Sequence, residues 1–333
     1  PCRHGMISDT IPAYTGDRFP VPHKVIIDCD PGIDDAVALA LALFDPRLEV
    51  LAVTATGGNV PPDQATANLQ SLLKFLDPPR LPRVGVAPVD VMFPERPYSL
   101  HGSDGLGGLD LPRANLHGAH VAEKVIWETL RAHPREVTII ALGPLTNVSR
   151  ALARDPGLAE LIHGLVARGG TAYGHGTATA VADSNFYCDA LAARHVVREP
   201  LAKTLVPLET TGQVVFGFDL LDQLPDESSR AGMILRRMLP HSFRAHRQIL
   251  GSEGIFMHDV VALVSVIHPE LFDRTAIVAD VETTGELTTG MLVIDRRQIK
   301  TSRPNADLLT ACDTTAVIDC VLRGLDAAGA ATK

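Results

Sequence analysis

Four aspartates fall within the eight residues Asp28-Cys29-Asp30-Pro31-Gly32-Ile33-Asp34-Asp35, directly after the apolar run Val25-Ile26-Ile27 and directly before the helix-prone stretch 36–43. Such a segment can sit at a strand-to-helix junction only if the chain turns sharply, which Pro31-Gly32 supplies, and if its charge is compensated. Two unit charges about 4 Å apart repel by roughly 4 kcal/mol at an effective dielectric near 20, so the cluster calls for a bound cation or shared protons. The donor set is all oxygen, which favours calcium or magnesium over zinc. Each aspartate alone has a plainer explanation, because Asp caps helices and suits a first helical turn. All four together exceed it, and strand C-terminal ends in open α/β sheets are where ligand sites form.

Composition narrows the classes. With 333 residues, 46% of them hydrophobic, the chain can bury a full core. A formal charge of −9 without any Lys/Arg run argues against a nucleic-acid footprint and against attraction to an anionic membrane. Cys2, Cys29, Cys188, Cys312 and Cys320 are scattered, odd in number and without CxxC spacing, which points to a reducing, cytoplasmic setting rather than a disulfide framework or a zinc knuckle. Cys29 lies between aspartates that raise its pKa, and is read as core rather than as a nucleophile. No apolar stretch reaches the roughly 18–20 residues of a membrane span. The polar, proline-dotted segment 1–22 reads as a poorly ordered N-terminal arm.

From residue 23 onward, apolar runs of strand length alternate with helical patterns, the signature of an α/β fold: an open, mostly parallel, Rossmann-like sheet flanked by helices. Strands are expected at 24–28, 49–54, 83–86, 137–141, 161–167, 275–282 and 291–295. Helices are expected at 34–44, 63–76, 119–132, 227–250, 259–267 and 314–325. The irregular stretches 88–116 and 169–185 are long enough to be functional loops. Without a repeat or a linker, 23–333 reads as one domain with a helical lid region in its second half.

The stretch 24–35, KVIIDCDPGIDD, resembles the amino-terminal signature of the inosine-uridine preferring nucleoside hydrolase family. Further family motifs follow in order: Thr56-Gly57-Gly58-Asn59, His101-Gly102 with Asp104-Gly105-Leu106-Gly107, Gly143-Pro144-Leu145-Thr146-Asn147, and His258-Asp259. The resemblance runs from residue 24 to about residue 325. It implies hydrolysis of the N-glycosidic bond of a ribonucleoside to ribose and free base, with calcium as cofactor. By the same resemblance Asp30, Asp35, Asp259 and the carbonyl of Leu142 hold the cation, and Asp30 activates the attacking water. Asp34, Asn59 and Asn185 bind ribose, His258 is the acid toward the leaving base, and His101 closes over the base. A homodimer or homotetramer is also implied.

The chain departs from the family pattern in the loop 169–185. Thr177 stands where Asn is usual, Asp183 where Glu is usual, and Ser184 where an aromatic residue is common. Thr177 and Asp183 are still expected to contact the sugar, although Asp falls short of Glu by about 1.5 Å and a misplacement of that order can cost ~10²-fold in rate. Trp127 is the single tryptophan and lies in an amphipathic helix, so a double-tryptophan stack on a purine is excluded. His246, Gln248, Phe243 and His101 are the candidate base contacts, and the substrate reads as pyrimidine-leaning or non-specific. Two rivals stay open: a non-catalytic nucleoside-binding or sensor protein, and an aspartyl-phosphate type phosphohydrolase. The second would want Thr where this chain has Gly32.

Overall fold

The computed structural model describes residues 22–89, 99–116, 119–299 and 302–333. The expected N-terminal arm, apart from Pro22, and part of the loop 88–116 lie outside them.

The first strand, β1 (His23–Cys29), is buried from Val25 onward because both faces of it are covered. Alternation sends Val25, Ile27 and Cys29 into one hydrophobic layer and Ile26 into the other. Helix α1 (Ile33–Ala42) is buried along its whole length. It starts at Gly32, whose N–H donates to Asp35 Oδ2 at 2.9 Å, so the acidic residue that closes the first turn is also a site carboxylate.

Then come β2 (Leu48–Ala55), α2 (Pro62–Leu76), β3 (Arg83–Val86), β4 (His120–Val121), α3 (Ala122–Ala132), β5 (Val137–Ala141), α4 (Thr146–Arg154) and β6 (Gly164–Arg168). Short helices α5 (Ser184–Cys188) and α6 (Ala190–Arg198), strand β7 (Lys203–Val206) and helix α7 (Leu208–Thr211) lead to α8 (Arg230–Ala245). The chain ends with α9 (His258–Ile267), β8 (Phe272–Ile277), β9 (Ala279–Val281), β10 (Leu292–Ile294), β11 (Ala306–Cys312) and α10 (Thr314–Ala331).

The main sheet has the order β4-β3-β2-β1-β5-β6-β7-β11-β8, parallel except for β8 against β11, while β9 and β10 form a separate antiparallel ribbon. Strand order reverses between β1 and β5, so the connections leaving their C-terminal ends run to opposite sides and open a crevice there. The acidic segment after β1 and the Gly143-Pro144 turn after β5 both empty into it.

Several boundaries differ from expectation, each for a tertiary reason. The strand expected at 275–282 is two strands in two sheets, β8 pairing with β11 and β9 with β10. The strand expected at 161–167 begins later and runs to Arg168, after a 3-10 turn at Leu158–Leu161. The helix expected at 119–132 starts only at Ala122, because His120–Val121 pairs with β3. The long helix expected at 227–250 ends as α8 at Ala245 and continues as one π-helical turn, His246–Leu250. The short β7 gains its strand character from neighbours on both sides, β6 and β11.

His23 opens β1 with its Nε2 at 2.8 Å from Thr138 Oγ1, and burial, helped by nearby His163, pushes its pKa from 6.5 down to about 4. The unfolded chain therefore takes up this proton first. Its neutral form contributes on the order of 3 kcal/mol above pH 6.5, lost as the pH falls toward 4. Replacement of His23 by Gln should flatten the decline of unfolding free energy across that window, read from denaturant titrations at stepped pH. An unchanged slope would contradict it.

Candidate active site

Two helix N-termini meet at the crevice. Asp34 and Asp35 lie in the first turn of α1 and Asp259 in the first turn of α9, where the positive ends of the helices favour carboxylates. One oxygen from each of these three buried residues lies within 4.8 Å of the other two. Asp34 Oδ1, Asp35 Oδ1 and Asp259 Oδ1 accept no hydrogen bond from the described residues. Buried carboxylate oxygens without donors are costly, and three of them converging are matched by a hard cation.

The protonation pattern agrees. Burial, reinforced by Asp34, raises Asp35 to about 7, and burial with Asp34 and Asp35 raises Asp259 well above the carboxylate range. Against burial, which alone would raise it, the neighbours His101 and Arg168 bring Asp34 below its ordinary value. Both upward shifts favour protons on Asp35 and Asp259 when no cation is bound. The residues present fit a divalent cation, which replaces those protons.

Asp30 stands beside this group in a cradle of backbone. Asn59 N–H donates to Asp30 Oδ2 at 2.7 Å, and Asn59 Nδ2 bridges the Asp30 carbonyl at 3.1 Å and Asp35 Oδ2 at 3.2 Å. Gly58 and Gly143 complete the cradle: a Cβ on Gly58 would collide with the Asp30 carboxylate, and one on Gly143 would lie 2.7 Å from its Oδ1. Asp28, the remaining carboxylate of the motif, sits behind the site, taking hydrogen bonds from Thr54 and Asn147, and burial raises it to about 7. It ties β1 to β2 and to the first turn of α4. Cys29 lies in the core, its thiol pushed up by burial and the surrounding aspartates.

These groups open onto a cavity of about 500 Å³, a volume suited to a small polar molecule. Asp30, Asp34, Asn59, Leu142, Asn185 and Asp259 lie on its wall, as do His101, Thr177, His246 and His258. Asp183 does not. Expected as a sugar contact, it caps α5 instead: Oδ1 accepts from Gly170 N and Phe186 N, and Oδ2 from Asn185 N and Arg168 Nη1. The shorter Asp side chain thus anchors the loop rather than reaching the cavity. Asn185 Nδ2 is spent on the carbonyls of Leu142 and Arg168.

The histidines separate into distinct roles. His101 Nδ1 accepts from Ile33 N at 3.1 Å, which places its proton on Nε2, and stands 3.7 Å from Asp34 Oδ1. His246, expected to meet a base, gives Nδ1 to the Ser242 carbonyl and accepts Phe256 N at Nε2, so both ring nitrogens are engaged by backbone. His258 Nδ1 pairs with Thr211 Oγ1 at 2.7 Å, and burial together with Arg168 pushes its pKa down to about 3. It is a neutral imidazole rather than a stored imidazolium. Gln248 is exposed, and the buried Phe243 stacks on the exposed Phe218, and neither lines the cavity. Phe256, stacked near His258, and Tyr187 do, and no periodicity marks them in advance. Arg168 was also missed, although an arginine closing an apolar strand just before Gly169-Gly170 is a visible anomaly.

Residues 25–319 match the family model described as inosine-uridine preferring nucleoside hydrolase. Over 272 residues, 81% of this chain and 88% of the relative, the sequence is 35% identical to a protein of Escherichia coli named non-specific ribonucleoside hydrolase RihC. The fold superposes on a plant nucleoside hydrolase, the PpNRh1 enzyme, with a TM-score of 0.84 and 28% identity, covering 92% of this chain and 99% of that one. An inosine-guanosine nucleoside hydrolase gives a TM-score of 0.82 at 26% identity, again covering 92% and 99%.

Because the folded pKa of Asp35 lies above its unfolded value of 3.8, chelated protein should lose stability as the pH climbs from there toward 7. Added calcium should remove that penalty, stabilising the fold by about 2.7 kcal/mol at a hundredfold excess over Kd, and should raise the melting temperature more at about pH 7.5 than at about pH 5. Asp259→Asn should abolish most of the shift. Equal calcium shifts at both pH values would rule out proton displacement.

Proposed function

The chain belongs to the inosine-uridine preferring nucleoside hydrolase family and is a ribonucleoside hydrolase; from that premise we propose that it uses calcium, with Asp30 as the base that activates water, on pyrimidine or mixed ribonucleosides. The observation that carries the reading is the convergence of Asp34, Asp35 and Asp259, each with an oxygen lacking a donor, beside Asp30 in the cavity at the sheet's switch point.

Asp35, Asp259 and Asp34 would hold the cation, with the Leu142 carbonyl and Asp30 at its border. Asp34 thereby moves from the sugar contact expected of it toward the cation. When bound, the cation lowers the pKa of a water and orders the 2′,3′-diol of the sugar.

Asp30, fixed by Asn59 N–H and pressed by Gly58 and Gly143, takes the proton of the water as its oxygen adds to the anomeric carbon. The bond from that carbon to the base nitrogen breaks as positive charge develops on the ring, which the surrounding carboxylates stabilise. Asn59 holds Asp30 and Asp35 in register for this. His258, oriented by Thr211, meets the departing base as a neutral imidazole and offers a hydrogen bond rather than a stored proton. His101, which accepts the Ile33 N–H at Nδ1 and lies on the cavity wall, is the second candidate donor on that side.

Phe256, Tyr187 and Leu250 give the base an apolar wall without a tryptophan pair, which supports broad or pyrimidine-leaning choice. The relative named non-specific supports the same reading. A cytoplasmic setting stays part of the proposal, on the odd number and scattered spacing of the cysteines. A homo-oligomer remains part of the proposal through the family resemblance.

Ribose release from uridine, cytidine, inosine and adenosine should vanish with chelator and return with calcium. Inosine strongly preferred over uridine would overturn the pyrimidine leaning, and efficient cleavage of 2′-deoxynucleosides would contradict the role of the diol. Asp30→Asn should keep the melting temperature close to wild type while lowering turnover about 10²–10⁴-fold, the range of a lost general base. Near-normal kinetics in that variant would remove Asp30 from the mechanism.

A further inference from the structure

Arg168 is the charged side chain on the cavity wall that the mechanism leaves unused. It closes β6, is 9% exposed, and is the one guanidinium on that wall among the described residues. Its Nη1 donates to Asp183 Oδ2 at 3.1 Å, and its Nε faces Asp259 Oδ1 at 3.4 Å without forming a hydrogen bond. Burial works against its charge, and Asp259, Asp183 and Asp34 more than offset it, so Arg168 stays protonated.

A guanidinium carries five donors in a planar fork and tolerates removal from water only when acceptors meet them. Asp183 is an incomplete partner. Its oxygens already accept from the N–H groups of Gly170, Asn185 and Phe186, and it meets Arg168 through one oxygen only. Asp259 belongs to the carboxylate group that fits a cation, and its oxygen facing Arg168 makes no hydrogen bond to the guanidinium. The fork is then short of acceptors beside an open cavity. Sugar hydroxyls alone would be served on this wall by a neutral donor such as Thr177. A buried arginine is the side chain suited to a planar or multiply charged anion, which it grips with two parallel bonds.

We propose that Arg168 receives an anionic group, a carboxylate or a phosphate, borne by the sugar of the substrate at its C5′ end, so that the preferred substrates are anionic ribonucleosides. The inference rests on the hydrolase reading. That reading puts the 2′,3′-diol on the carboxylates and the base against His258 and Phe256. The remaining end of the sugar then falls to the wall of Arg168, His175 and Thr177.

The test compares three compounds sharing one base: the plain ribonucleoside, its 5′-carboxylate and its 5′-monophosphate. Ribose-product release is followed with calcium-loaded wild type, and binding is measured by calorimetry on calcium-loaded Asp30→Asn. One anionic compound should exceed the neutral one roughly tenfold or more in kcat/KM and in affinity, as expected for a charge-assisted pair. Which of the two wins separates carboxylate from phosphate. Arg168→Met should erase that ratio, and Arg168→Lys, which keeps the charge but not the fork, should retain part of it and serves if the Met variant does not fold.

Neutral nucleoside favoured over both anions, or the same ratio in wild type and Arg168→Met, would overturn the inference while leaving the hydrolase reading intact. If no compound releases its base, the hydrolase reading fails, and the calorimetric ratio alone decides the role of Arg168.

Discussion

Burying negative charge is the constraint on which the rest of this structure depends. Asp28, Asp30, Asp34, Asp35, Asp183 and Asp259 are all nearly sealed from solvent, and Arg168 is a buried cation among them. An arrangement of that kind survives only when each oxygen is given a donor, a proton or a cation. The fold supplies donors selectively. Asp183 has donors on both oxygens and acts as a strut, Asp28 takes two on Oδ1 and none on Oδ2, and Asp34, Asp35 and Asp259 each keep one oxygen without a donor where they converge. What sets the site apart is the convergence of three such oxygens, not residue type or depth.

The same division explains the backbone around the site. Placing β1 beside β5 at the reversal of strand order brings the acidic turn and the Gly143 turn together. Gly58 and Gly143 allow main chain to close on Asp30 from two sides, and Asn59 uses its amide and its side chain to couple Asp30 with Asp35. The N-terminal ends of α1 and α9 add partial positive charge where carboxylates crowd. A wholly buried helix such as α1 is affordable because its polar first turn points at the site while its remaining residues fill the core.

Much of this was legible in the order of residues. The motif 28–35, the glycine turns and His258-Asp259 named the converging carboxylates and the backbone cradle around Asp30, because close backbone approach and crowded charge leave few alternatives in residue type. The central strands β1, β2, β3 and β5 were legible from apolar runs. The edge of the sheet was not. A break at Val278 divides one apolar stretch between two sheets, and the short β7 is a strand by virtue of its neighbours rather than its own pattern. Asp183 and His246 were legible as polar residues near the site, but not as residues whose atoms are all taken by backbone partners.

The sequence by itself determined that a cluster of hard oxygen ligands sits where an apolar strand meets a helix, and through its motifs the kind of enzyme that results. Tertiary structure alone decided which of those oxygens are left without donors, since that depends on contacts across long sequence separations, such as Asn147 to Asp28 and Gly170 to Asp183. It also decided that Arg168 faces the cavity. The end of β6 is fixed by pairing with β5 and β7, and no local pattern specifies whether a charge at a strand end meets solvent or a neighbouring carboxylate.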